Sequence, residues 1–166
     1  MPVLASPPQS YKRVKPFSAL MSVLTKRIEL RTGSENEILD ITGDVQLAVE
    51  ESGLDAGVAT VFVPGSTAAV TTIEFEPGLA KDFPAMLERV APDDIDYEHQ
   101  RAWHDGNGRS HVKASLVGPS LSVPFEGGVL ALGTWQQIVF VELDIRPRRR
   151  EVVVQVMGEA ETEPRT

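Results

Sequence analysis

All three histidines of the 166-residue chain fall within one short stretch, from His99 through His104 to His111. Asp105, Asn107, Lys113 and Ser115 stand among them or just after. Imidazole moves protons near neutral pH, ligates metals as the neutral ring and binds phosphate when charged. A lysine ammonium stabilises negative charge, and a carboxylate with an amide completes the donor set of an anion pocket or a metal centre. Three chemistries are open to these residue types. His99, His104 and His111 with Asp105 or Glu74 would ligate a divalent ion. One imidazole would shuttle a proton, a role the sequence does not divide between His99 and His104. Or the cluster is a hydrogen-bond network between subunits. The spacing matches no strong zinc signature, and no histidine pair at i, i+4 on a helix is evident.

Geometry at the sequence level rests on alternation. Read as a strand, HVKAS turns His111, Lys113 and Ser115 to one face, roughly 7 Å apart, and Val112, Ala114 and Leu116 to a core. The first face would then be the floor of an anion pocket. Upstream, the glycines of DGNG permit a tight turn that presents Asp105 and Asn107 to a ligand, or simply a hairpin turn. The turn GSTAA offers Ser66, Thr67 and backbone amides to an anion, without the lysine ending of a Walker loop. Glu74 comes next in a β-rich setting as a ligand, a base or an ion-pair partner. Trp135 in GTWQQ reads first as a core or interface residue. RPRRR, residues 146–150, is the only basic run; it reads as a solvated edge, with phosphate binding the lesser alternative.

These groups need elements to hold them. SVLTKRIEL has Val23 and Thr25 on one side and Leu24, Ile28 and Leu30 on the other, as in a strand. Ser34 and Glu37 fit a capping box opening a helix whose face carries Ile38, Ile41, Val45, Ala48 and Val49, with Gly53 ending it. VATVFVP reads as a buried strand and VTTIE as another. Residues 76–92 form a second helical region that Pro84 should break or restart. The C-terminal half, HVKASLVG, SLSVPF, VLAL, QIVFVELD and EVVVQVMG, is strand after strand without helices, which predicts antiparallel pairing. The expectation is an α+β domain: an antiparallel β-sandwich or barrel with two main helices.

The bulk composition limits the function. Hydrophobic content of 42% and charged content of 24% suit a globular chain of one domain. A formal charge of −8 disfavours nucleic acid and anionic membrane as partners. No apolar run reaches the length of a membrane span, and no secretory signal is evident. The absence of cysteine removes thiolate chemistry and fits a reducing cytoplasm. Residues 1–20 read as a flexible arm, 21–159 as the domain and 160–166 as a disordered tail.

The stretches VFVPGSTAAVTTIEFEPGLAKDF and YEHQRAWHDGNGRSHVKASLVGPSLSVPFEGG, with the later GTWQQ and RPRRR, resemble the YjbQ-like family. Its motifs N-G-x-x-H-x-K-A-S-L-x-G-x-S, G-T-W-Q and P-R-x-R occur here in order, and the likeness spans about residues 21–159. The resemblance implies an α+β fold around a β-sandwich or barrel, a homotrimer, and the label secondary thiamine-phosphate synthase. That reaction joins a pyrimidine diphosphate to a thiazole phosphate and releases pyrophosphate. Carried over by motif, the pocket residues are His99, Asn107, His111, Lys113, Ser115, Thr67, Glu74, Trp135 and Gln136. The resulting expectation is a catalytic set of His111, Lys113, His99, Asn107 and Glu74. Lys113, Ser115, Thr67 and Ser66 would bind an anion, and magnesium or zinc would sit at His99, His111, His104 and Asp105. The alternative is a non-catalytic metal- or anion-binding homotrimer. Two departures weigh against the metal: Gly65-Ser66-Thr67 lacks a histidine common at that turn, and Arg109 stands where close relatives often have histidine.

Overall fold

The computed structural model describes residues 21–160. The readings of 1–20 as an arm and 161–166 as a tail lie outside the described residues. Eight strands and four helices occur in the order β1 (Ser22–Thr32), β2 (Ile38–Asp40), α1 (Thr42–Ser52), β3 (Ala56–Phe62), β4 (Ala68–Ile73), α2 (Leu79–Val90), α3 (Glu98–Trp103), α4 (Gly108–Val117), β5 (Ser120–Glu126), β6 (Val129–Leu130), β7 (Gln137–Glu142) and β8 (Arg148–Glu159). The strands form a five-stranded sheet, β1-β8-β3-β5-β6, and a three-stranded sheet, β2-β7-β4. Every pairing is antiparallel, as strand after strand predicted.

Strand pleating explains the layers. Val152, Val154 and Val156 of β8 and Ala59 and Val61 of β3 face Val70 of β4 and Ile138 and Phe140 of β7 in one core. Val45, Ala48 and Val49 of α1 join the same core. The alternate residues of the small sheet, Ala69, Val139 and Val141, point the other way against Leu87 of α2 and Ala114 of α4. β7 is thus buried on both faces, which is why its sequence is a continuous apolar run rather than an alternating one.

Three expectations change. Ser34 and Glu37 do not cap a helix. The Glu37 carboxylate accepts from Gly33 N (2.6 Å), Asn36 takes a positive φ of 66°, and Ile38, Leu39 and Asp40 pair with β7. The helix begins at Thr42 and ends, as expected, with Gly53 left-handed at φ 65°. Pro84 lies inside α2 without ending it. Pro84 has no amide to donate to the Ala80 carbonyl, and Ala80 itself is only half-buried. HVKAS is not a strand but the middle of α4. Its inward positions, Ser110, Lys113, Ala114 and Val117, keep a helical spacing of three and four. Two of them are polar, so counting apolar residues does not reveal the period. α4 therefore stands where a strand was expected, and α3 where the sequence reading placed no element.

Candidate functional site

The helix splits the motif that a strand would have kept together. His111 lies on the side of α4 facing a cleft of about 520 Å³. Lys113, two residues on, turns inward and is wholly buried. Its ammonium donates to Glu88 Oε2 of α2 (2.8 Å) and Glu35 Oε1 of the β1–β2 turn (3.3 Å). Arg109 clamps the same Glu35 with Nε (2.9 Å) and Nη2 (2.8 Å). The hydrogen bond from Lys113 holds the Glu88 carboxyl below its usual pKa, against the opposing pull of desolvation. The Glu35 bond, offset by desolvation, raises that of Arg109. Lys113 does not line the cleft; it fastens α4 to α2 and to the β1–β2 turn. Ser115 is exposed and donates to its own helix at His111 O (2.8 Å).

The helical side of the cleft comes from α3 and α4. The His99 and His111 rings lie 4.5 Å apart between centroids, tilted by 50°. His99 Nε2 is 3.4 Å from Asp105 Oδ1. Turned to satisfy its hydrogen bonds, the Asn107 amide donates to Asp105 Oδ1 (2.9 Å) and Oδ2 (3.1 Å), and its nitrogen lies 3.2 Å from His99 Nε2. Neutral His99 can accept from Asn107, and protonated His99 can donate to Asp105. The loop holding these groups needs glycine twice: Gly106 has φ 77°, and a Cβ on Gly108 would come 2.6 Å from Tyr97 Cβ, where α3 meets α4.

The β side is contributed by Gly65, Ser66 and Thr67 and by Asp144 with Arg148, Arg149 and Arg150. Beneath it lies a buried polar network. Arg150 donates to Glu142 Oε2 (2.8 Å) and Oε1 (2.5 Å) and to Thr67 Oγ1 (2.9 Å). Thr67 donates in turn to Asp144 Oδ2 (3.0 Å), which also takes Arg148 Nη2 (2.7 Å) and Nε (3.0 Å). Burial pushes the Asp144 carboxyl up, but bonds from Arg148 and Thr67 outweigh it and hold the pKa below its usual value. The Thr67 hydroxyl is consumed by this network, whereas Ser66 is exposed at the cleft.

The cleft therefore unites His99, His111, Asp105, Asn107, Ser66 and Thr67 of the expected residues. It leaves out Lys113 and Ser115, and also His104, which is exposed at the end of α3 with φ 53°. Glu74 is exposed past the end of β4, and Trp135 and Gln136 lie in the exposed turn before β7, all outside the cleft. Among the described residues no three His, Cys, Asp or Glu side chains converge on a point that would hold a metal ion. Of the expected set, His99, His111 and Asp105 line the cleft and His104 does not. Arg148 and Arg149 are exposed, as the solvated-edge reading had it, but they line the cleft with Arg150, and sequence reasoning did not single out Trp103, which lines it too. The signal for Trp103 was available only once α3 was known: His99 and Trp103 are four residues apart and share a helix face.

Residues 26–159 match the family described as UPF0047 protein YjbQ-like. A UPF0047 protein of Methanothermobacter thermautotrophicus is 42% identical over 138 residues, 83% of this chain and 94% of the relative. The UPF0047 protein YugU of Bacillus subtilis is 36% identical over 137 residues, 81% of this chain and all of the relative. A crystal structure of a YbjQ-like protein of unknown function from Sulfolobus solfataricus superposes with a TM-score of 0.79 at 33% identity, covering 84% of this chain and 100% of that one. An uncharacterized conserved protein of the YjbQ/UPF0047 family from Clostridium acetobutylicum gives 0.72 at 41% identity, covering 79% and 98%. With the fold and the sequence in agreement over most of its length, the chain belongs to the YjbQ-like UPF0047 family.

Proposed function

We propose that the chain is a cytoplasmic enzyme acting on a phosphorylated small molecule in the cleft between α3–α4 and the 148–150 segment. One observation carries the reading: a packed imidazole pair with Asp105 and Asn107 shares a 520 Å³ cleft with Arg148, Arg149 and the 65–67 turn. In a chain of formal charge −8, exposed Arg149 and Arg148, the latter sharing its guanidinium with Asp144, offer donors to an anion at this cleft. Arginine forks match phosphate oxygens, and the Gly108 and Arg109 amides at the start of α4, ahead of the ladder that begins with Ser110 N on Asn107 O, favour negative charge.

By family resemblance, the reaction is thiamine-phosphate synthesis. A bond forms between the pyrimidine and thiazole partners. The bond to the diphosphate breaks, and its electron pair leaves on pyrophosphate. The arginines and His111 stabilise that departing charge, and His99 in its protonated form, between Asn107 and Asp105, gives its proton to the departing pyrophosphate oxygen and regains one from solvent. A magnesium ion would arrive with the diphosphate, as part of the substrate. The homotrimer that the resemblance implies is supported by the open face of the large sheet. There Val23, Met157 and Val58 lie side by side across β1, β8 and β3, all exposed. No helix among the described residues is long and apolar enough to cross a membrane.

The test is an assay for thiamine phosphate with and without magnesium, on the wild type and on a His99→Ala, His111→Ala variant. The reading expects turnover in the first and its loss in the second. Phosphate binding without turnover of any phosphorylated substrate would instead make the chain a non-catalytic anion-binding module. Sedimentation that gives a monomer across micromolar concentrations would reject the trimer.

A further inference from the structure

Two tryptophans are exposed, each to 72%: Trp103 and Trp135. Exposure alone distinguishes neither, but position does. Trp135 stands in the turn before β7, away from the cleft, whereas Trp103 lines it. The helix that bears Trp103 buries none of its residues, so Trp103 is not part of the core of this chain. His99 precedes it by one helical turn on the same face, and His99 packs against His111. Three aromatic rings thus line the helical side of a cleft whose other side bears Arg148 and Arg149.

We propose that Trp103 is a ring platform, and that the phosphorylated ligand carries a planar aromatic ring which stacks on it while its phosphate meets the arginines. Stacking on an aromatic side chain tolerates any flat ring, because every such ring presents a π face. A glycerol phosphate has no π face to set against the indole, whose one polar group is the Nε1–H donor. Trp103 is a specificity residue here: it touches the part of the ligand that does not react. The inference rests on the reading of the cleft as a phosphate site.

Calorimetric titration of inorganic phosphate, phenyl phosphate and glycerol 3-phosphate tests the two separately. The three probes share the phosphoryl group and differ in the group esterified to it: none, an aromatic ring or a glycerol. The wild type is expected to bind phenyl phosphate about tenfold more tightly than glycerol 3-phosphate. Trp103→Ala should abolish that preference and leave inorganic phosphate unaffected, while Trp103→Phe should retain most of it. Equal binding of the two esters by the wild type, or a preference unchanged in Trp103→Ala, overturns the platform and leaves the phosphate site standing. Failure of all three probes to bind the wild type removes the phosphate site, and the platform with it.

Discussion

The two sides of α4 carry similar chemistry to opposite ends. On the inward side, Lys113 and Arg109 meet Glu35 and Glu88, and charge is matched by charge at 2.8–3.3 Å. On the cleft side, His111 packs on His99, with Asp105 and Asn107 nearby and Arg148 and Arg149 in the same cleft. A buried ion pair whose bonds are all used specifies position; it has nothing left for a ligand. A half-exposed imidazole beside a carboxylate and an amide retains that capacity. Residue type and motif membership do not separate the two cases, since His111 and Lys113 belong to one motif. Burial and partners do.

The largest expected effect is on the inward side. Lys113→Met should lower unfolding free energy by about 2–3 kcal/mol in a denaturant titration. This is below the ~3–5 kcal/mol for breaking a fully buried pair, because Glu35 keeps Arg109 and Glu88 is partly solvated. Phosphate affinity of the folded variant should be unchanged. On the cleft side the pattern inverts. His99→Ala, His111→Ala should weaken phosphate binding about ten- to a hundredfold by calorimetry, as for lost hydrogen bonds to a charged group. Its stability should stay within about 1 kcal/mol of the wild type.

The pH dependence of stability reports the paired regions. The Glu88 and Asp144 carboxyls are held below their usual values, so the unfolded chain binds protons first. Their contribution is complete above the ordinary carboxylate pKa of about 4 and is lost as pH falls through the lower folded value. Unfolding free energy should therefore rise with pH across that acid range, and Glu88→Gln with Asp144→Asn should flatten the rise. The smallest effect belongs to Ser115→Ala, whose hydroxyl serves only its own helix; both stability and phosphate affinity should stay within about 0.5 kcal/mol.

Strands were legible because their signals are local and apolar. β1, β3, β4, β5, β7 and β8 lie where β-branched runs and turns put them, and Gly53 ends its helix through a positive φ that glycine tolerates. The start of α1 was not legible. Ser34 and Glu37 carry a capping pattern, but pairing of Ile38, Leu39 and Asp40 with β7 overrides it. α4 escaped notice because its buried face is half polar, with Ser110 and Lys113 inside and Val112 and Leu116 outside. α3 buries nothing and so leaves no periodicity to read. Composition therefore pointed to the surroundings of the candidate site, while its geometry was not legible. Three histidines in thirteen residues marked the neighbourhood. Only the helix settles which two share the cleft, and that the lysine does not.

A side-by-side calorimetric titration of inorganic pyrophosphate into folded Lys113→Met and folded His111→Ala tests this division most directly. The account predicts wild-type affinity in the lysine variant and at least a tenfold loss in the histidine variant. Affinity lost with the lysine and kept without the histidine would contradict it.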